Sequence, residues 1–225
     1  MRVERTSVEG NPFVGLFARC SDRFAVIPRS APEKFAAKCR SALGTEVVRL
    51  SVAGSNLVGI FTAMNSSGLV LPSIAFSQEA SEAKRSLGMN VVTLRGNFTA
   101  VGNNVLANDR GAVINPNIGA SDARRIADCL DVEVQKRKIA GYSTVGAVAV
   151  VTNRGLLVHP DVSDEEMEEL EEFFGVRGGG GTGNLGVSFV GLCILANSNG
   201  LVAGELTSGH ELRKMEEALG LLGCA

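Results

Sequence analysis

Apolar and polar stretches succeed one another along this chain in an order that returns five times. In the second copy the apolar run Leu57-Val58-Gly59-Ile60-Phe61-Thr62-Ala63-Met64 meets the turn cluster Asn65-Ser66-Ser67-Gly68, and Leu69-Val70-Leu71 then leads to Pro72. Two apolar runs about a glycine-containing turn predict a β-hairpin, and their near-continuous apolarity predicts that both faces are covered. Pro72 ends the second strand because it has no N–H for a ladder. From Ser77 to Gly88 comes a serine cap, good helix formers and a glycine stop, and Val91 to Leu94 reads as a third strand. The predicted unit is strand, strand, helix, strand.

A Val-Gly pair registers each copy: Val14-Gly15, Val58-Gly59, Val101-Gly102, Val145-Gly146 and Val190-Gly191, at intervals of 44, 43, 44 and 45 residues. Turn clusters begin at Ser21, Asn65, Asn108, Thr152 and Asn197, and the next landmark is Pro28, Pro72, Pro116 and Pro160, with Gly204 in the last copy. A repeat of this length indicates a solenoid or propeller-like array. The other helices are expected over Ala31 to Leu43, Ser121 to Leu130, Ser163 to Phe174 and Ser208 to about Leu222. Third strands are expected at Val47 to Leu50, Val132 to Val134 and around Val176. The fifth helix runs almost to Ala225 and leaves no room for a third strand, whereas Arg2 to Val8 is a strand ahead of the first Val-Gly. Borrowing that strand would complete the fifth unit and close the array into a ring without capping repeats.

The expected fold class is therefore α+β, with five pseudo-symmetric strand-strand-helix-strand repeats around a central axis in a single domain over residues 1–225. The repeats fall near 11–53, 54–97, 98–141, 142–184 and 185–225, with strand 2–8 completing the fifth. Glycine inside every first strand costs roughly 0.5–1 kcal/mol relative to alanine; a close approach of backbones at the axis or a recurring bulge would account for it, or Val-Gly simply starts each strand with a tight bend, and the close approach is the expectation.

Composition narrows the chemistry. Charges of 22 basic against 24 acidic residues give a net charge of -2 and no bulk electrostatic case for nucleic acid; DNA is not an expected partner. The five cysteines, Cys20, Cys39, Cys129, Cys193 and Cys224, have no C-x-x-C spacing and read as reduced core thiols of a cytoplasmic protein. Neither a signal peptide nor a membrane span is legible. His159 and His210 are not paired at ligand spacing, so no metal and no cofactor is expected. The Gly178-Gly-Gly-Gly181-Thr-Gly183 run lacks G-K-[ST] and reads as a flexible inter-repeat loop.

Five closed units of this kind resemble the pentein fold, a closed α/β propeller. Within it the chain resembles the translation initiation factor 6 family. The segments that carry the resemblance are Asn11-Pro-Phe-Val-Gly15, Ala53-Gly-Ser-Asn-Leu-Val-Gly59, Thr99-Ala-Val-Gly-Asn103 with Asn108-Asp109, Ser143-Thr-Val-Gly146 with Val158-His159-Pro160, and Gly204-Glu-Leu-Thr207. The resemblance implies a non-enzymatic factor that binds the large (50S) ribosomal subunit and prevents its joining to the small (30S) subunit. It also implies contact with the L14-type ribosomal protein, close to the sarcin-ricin loop of the large rRNA. The missing acidic or Ser-rich tail favours an archaeal member, expected to be a monomer. The alternative within the same fold is a guanidine-modifying enzyme, an amidinotransferase or deiminase, drawing on Cys193 or Cys224 with His159 or His210. A thiol inside the run Val190-Gly-Leu-Cys-Ile-Leu195 is expected to be inert, and Cys224 is penultimate.

Comparison of the copies picks out candidate binding residues. After the glycine of Val-Gly stand Leu16, Ile60, Asn103, Ala147 and Leu192, so an amide interrupts an apolar set, and Asn104 follows it. The segments entering the first strands should gather at one end of the ring. They bring Asn56, Tyr142 and Asn184, with Arg95 beside them as the cation expected to reach rRNA or an acidic partner. This neutral, hydrogen-bonding set suits a protein contact better than a phosphate clamp. The acidic run from Asp164 to Phe174 is expected on a solvated helix face turned away from the ribosome.

Overall fold

The computed structural model describes residues 2–222. The first repeat runs through a one-turn helix Val14–Phe17, strands Arg19–Cys20 and Phe24–Pro28, a helix Glu33–Leu43 and a strand Glu46–Leu50. The other repeats follow the same order, and the result is five separate three-stranded sheets. In each sheet the middle strand pairs antiparallel with the strand before it and parallel with the strand after the helix. The fifth sheet takes its parallel strand from the other end of the chain: Arg2–Thr6 lies against Gly200–Gly204, with Arg2 opposite Gly200 and Thr6 opposite Gly204.

The middle strands are buried at every residue, as their unbroken apolarity requires. Each long helix fills the wedge between its own sheet and that of the preceding repeat. Phe35, Ala36, Cys39 and Leu43 pack between Ala25 and Ile27 on one side and Leu195 and Val202 on the other. Ala83 and Leu87 likewise pack among Phe24 and Val26 of the first sheet and Leu69 and Leu71 of the second. Left-handed residues close four helices, namely Gly44, Gly88, Asp131 and Gly175. Ser77 is the first helical residue and not the cap; the cap is Phe76, whose N–H donates to Glu79 at 2.9 Å.

Two expectations are corrected. Val-Gly does not lie in the first strand of each repeat but opens the one-turn helix before it, at Val14–Phe17, Val58–Phe61, Val101–Asn104, Val145–Val148 and Val190–Cys193. Periodicity alone does not separate a short buried helix from a buried strand. The predicted crowding is nevertheless present. A β-carbon on Gly15 would overlap the carbonyl oxygen of Gly191, one on Gly59 that of Gly15, one on Gly102 that of Gly59, one on Gly146 that of Gly102, and one on Gly191 that of Gly146. The five contacts form a closed cycle. The second correction concerns the glycine run: Arg177–Gly180 is the third strand of the fourth sheet, paired with Gly155–Val158. Side chains there would strike Met167 Sδ and the Leu156 carbonyl at Gly178, and would press on Ala218 at Gly179. The ladder holds the strand while bare α-carbons let neighbouring elements approach.

Hairpin turns stitch one end of the ring. Asn65 Nδ2 donates to the carbonyls of Asn108 (3.1 Å) and Leu130 (2.8 Å), Asn108 Nδ2 to those of Thr152 and Phe174 (both 3.2 Å), and Asn197 Nδ2 to those of Ser21 (3.1 Å) and Leu43 (3.0 Å). Each amide thus ties its turn to the next turn and to a helix end. Outside them, Asp109 accepts from Ser66 Oγ and Asn153 Nδ2, both at 2.7 Å, and Asp22 accepts from Ser198 Oγ at 2.7 Å and Asn153 Nδ2 at 2.8 Å. Inside the ring, Arg19 lines an axial cavity of ≈ 40 Å³ together with Cys20 and small aliphatic residues. Its guanidinium donates to the Gly59 carbonyl at 2.8 Å, and burial lowers its pKa to about 10, which leaves it charged at neutral pH.

Gly59→Ala should destabilise the chain by about 1–3 kcal/mol or more through overpacking against backbone that cannot give. Gly209→Ala, at a helical position where a β-carbon meets nothing within 4 Å, should be neutral or slightly stabilising. Urea denaturation of the two variants measures both.

Candidate functional site

Because the second and third strands of each sheet run parallel, both finish at the same end of the ring, opposite the hairpin turns. That end carries the segments that lead into the one-turn helices, as expected from the repeats. Four of these segments are tight turns closed by single bridges between Val8 and Asn11, Val52 and Ser55, Ile139 and Tyr142, and Gly183 and Val187. Their central residues adopt positive φ, for example Ala53 (53°) with Gly54 (68°) and Ala140 (49°) with Gly141 (81°). Alanine in this region is strained. Carboxylates support it: Glu79 accepts from the N–H groups of Ala53 (2.7 Å) and Gly54 (3.0 Å), and Glu211 from those of Leu185 (3.3 Å) and Gly186 (2.8 Å).

The candidate residues separate into two groups. Asn56 and Arg95 are exposed at this end, and the Arg95 backbone N–H is anchored by Asp122 at 3.0 Å while its side chain is in solvent. Tyr142 is 38% exposed and rests on His159 and Phe189, with ring centroids 5.1 and 5.2 Å away. His159 is buried, and its Nδ1 accepts from the Asp161 N–H at 3.1 Å. Asn103 is half-buried, and among the described residues its Oδ1 has no hydrogen-bond partner. Asn104 and Asn184 differ from the expectation, because both side chains are buried and used internally. Asn104 donates to the Ala100 carbonyl at 2.8 Å and accepts from Asn115 Nδ2 at 2.7 Å. Asn184, at φ 48°, donates to the Pro12 carbonyl at 3.0 Å and accepts from Thr207 Oγ1 at 3.3 Å. These amides hold the turns that present the surface. Gly204 replaces proline in the fifth copy for the same reason, since a β-carbon there would strike the Pro12 carbonyl and the Asn184 side chain.

Sequence reasoning missed the apolar component of this end. Ile74 (43% exposed), Phe76 (59%), Leu185 (71%) and Leu206 (49%) lie in the turns and in the loops between second strand and helix, on the same end as Tyr142. The available signal was a large apolar residue in a loop where the register of the repeat offers it no core position. These apolar side chains share that end with amides and with the exposed charged residues Glu9, Arg29, Arg95, Lys138, Asp161 and Glu205.

Nucleophilic chemistry finds little support. Burial pushes the Cys193 thiol up to about 12, and Cys20 and Cys39 likewise to about 12, which suppresses the thiolate at neutral pH. Cys224 lies outside the described residues. Among the described residues, no group of three or more His, Cys, Asp or Glu side chains is placed to hold a metal ion, and no helix is long and apolar enough to cross a membrane.

A ring of five repeats completed by the strand Arg2–Thr6 belongs to the class of closed repeat proteins. Comparison with known sequences identifies which one. The eIF-6 family matches residues 3–218. The translation initiation factor 6 of Pyrococcus abyssi is 39% identical over 227 aligned residues, covering 99% of this chain and 100% of that protein. That of Haloquadratum walsbyi is 35% identical over 97% of this chain and 96% of its own length. That of Thermoplasma acidophilum is 36% identical over 96% and 99%. The chain belongs to the eIF-6 family, whose archaeal members named here are translation initiation factors.

The anchors of the rim turns make a pH prediction. For Glu79, burial raises the pKa, but the N–H groups of Gly54, Phe76 and Ala53 and the Ser51 hydroxyl outweigh it and hold the carboxyl below its ordinary value of 4.5. For Glu211, burial is again outweighed, here by Ser208, Gly186 and Thr182. A depressed folded-state pKa gives stability that is present above the unfolded value and is lost as pH falls through the folded one. Chemical denaturation should therefore show stability falling below about pH 4.5, with a shallower fall in Glu79→Gln. An equal fall in that variant would contradict the assignment.

Proposed function

We propose that this protein binds the large ribosomal subunit and prevents the small subunit from joining it, and that it does so without catalysis. The observation that carries the reading is the match of nearly the whole chain to a family of translation initiation factors. The two ends of the ring support a docking role. At the hairpin end, polar turn groups bond one another, whereas the opposite end exposes Asn56, Arg95, Tyr142, Ile74, Phe76, Leu185 and Leu206. Such a surface, apolar and polar with charges of both signs, fits a protein partner, and the L14-type ribosomal protein near the sarcin-ricin loop is the one this reading assigns. Asn103 sits half-buried in the ring of one-turn helices, with its Oδ1 buried and without a hydrogen-bond partner among the described residues. In the acidic helix Asp164–Phe174, Glu166 and Glu169 are engaged by Arg137 and Glu171 by Arg177; in this reading its acidic face points away from rRNA.

Co-sedimentation with separated subunits tests the reading. The chain should travel with large subunits and reduce formation of joined ribosomes when small subunits are added. Tyr142→Ala and Leu185→Asp should each weaken binding by about tenfold, and Leu222→Asp, four residues beyond the fifth helix Gly209–Ala218, which is shorter than the expected Ser208 to about Leu222, should not. A chain that stays at the top of the gradient with large subunits present would overturn the proposal.

A further inference from the structure

In four repeats a carboxylate from the first turn of the long helix sits in the turn that precedes the repeat. Glu79 takes the N–H groups of Ala53 and Gly54 and the Ser51 hydroxyl (3.0 Å), and Glu211 those of Leu185 and Gly186 and the Thr182 hydroxyl (3.0 Å). Asp122 takes the N–H groups of Arg95 (3.0 Å) and Gly96 (2.7 Å), and Glu166 takes that of Ala140 at 3.1 Å. Consecutive N–H groups in such turns form a concave cradle for anions.

The first repeat has the same turn and a different helix. Glu9 (φ 52°) and Gly10 (φ 80°) reproduce the backbone of Ala140 and Gly141, and Val8 and Asn11 make the same bridge. Ser7 stands where Ser51 and Thr182 stand in their repeats. The helix position that carries Glu79, Asp122, Glu166 and Glu211 elsewhere is here Phe35, 1% exposed and committed to the core. Pro32 occupies the cap position, where Phe76 and Ser208 use their N–H groups to hold the carboxylate. Among the described residues no carboxylate takes the Glu9 or Gly10 N–H. Beside this turn lies a cavity of ≈ 170 Å³ walled by Ser7, Pro32 and Phe35, with Arg5, Lys34 and Lys38 as its cations and Glu205 as its one acid. Lys38 is 3.4 Å from Glu4, while Lys34 forms no ion pair among the described residues.

We propose that the first-repeat turn, Ser7 to Gly10 with Lys34 beside it, is a binding site for a carboxylate of a partner protein. An aspartate, a glutamate or a chain terminus would take the place that Glu79 and Glu211 take in their own repeats. The cradle favours carboxylate over phosphate because Glu79, Asp122 and Glu211 each span two adjacent N–H groups of a sister turn with the two oxygens of one planar carboxylate. The inference goes beyond the ribosomal reading, since the turn would accept an acidic segment whether or not its owner is a ribosomal protein, and the test below needs no ribosome.

The ¹⁵N-labelled full chain is titrated at fixed ionic strength with acetate, with a blocked tetrapeptide of aspartate and glutamate, with inorganic phosphate and with an RNA hexamer. The expected result is a saturable downfield shift of the Glu9 and Gly10 amide protons with acetate and peptide, with Ala53, Gly54, Leu185 and Gly186 unmoved because their N–H groups are already bonded. Lys34→Ala should weaken peptide affinity by roughly two- to fivefold, the range of an exposed ion pair. Glu79→Ala should make Ala53 and Gly54 respond as well. Silence at Glu9 and Gly10 in the unaltered chain overturns the proposal, as does tighter binding of phosphate or RNA than of peptide at these amides.

Discussion

Backbone against backbone at the axis is the constraint on which this molecule depends. Each of five glycine α-carbons lies where a side chain would collide with the carbonyl oxygen of the neighbouring glycine. The ring can close at this radius only because five side chains are missing. Closure in turn lets Arg2–Thr6 complete the sheet begun by Ile194–Asn197 and Gly200–Gly204, so no sheet is left one strand short. Neither end of the array exposes an uncovered repeat, and apolar strands can be buried on both faces. One constraint thus governs radius, closure and core together.

The same closure divides the labour between the two ends. At the hairpin end the turn amides of Asn65, Asn108 and Asn197 spend their donors on neighbouring repeats, which locks the ring. At the other end four of the turns are built on left-handed residues, and in three of those a carboxylate from the following helix accepts from N–H groups that the turn projects. What remains outward there is a mixture of amides, Tyr142, Phe76, exposed aliphatics and charges of both signs, held on a scaffold that cannot spread without separating the glycines. A rigid platform of this kind loses little conformational freedom when it docks.

Much of this was legible in the sequence, for a physical reason. The recurrence of Val-Gly, the asparagine turns and the proline landmarks is a geometric demand made five times, so the strand order, the long helices and the borrowed strand could be read from it. The conformation of Val-Gly could not, because an apolar run that short suits a buried helical turn as well as a strand. The Gly178 run looked like a loop because its glycines serve neighbours distant in sequence, Met167 and Ala218 among them. Asn103 stood out by comparison of the copies, and Asn56, Tyr142 and Arg95 by their place in the segments between repeats, which the structure gathers at the end opposite the hairpins. Asn104 and Asn184 were read as outward amides because composition does not tell which way a side chain turns. Ile74, Phe76, Leu185 and Leu206 escaped because apolar residues are ordinarily assigned to the core.

Hydrogen exchange on the chain alone and with large ribosomal subunits tests the central claim, that the end opposite the hairpins is the docking face. The account predicts added protection in segments 8–11, 52–56, 95–99, 139–143 and 183–187, with the hairpin turns at 21–23, 65–68, 108–111, 152–155 and 197–200 unchanged. Protection confined to the hairpin turns, or none in either set when subunits are in excess, would contradict it.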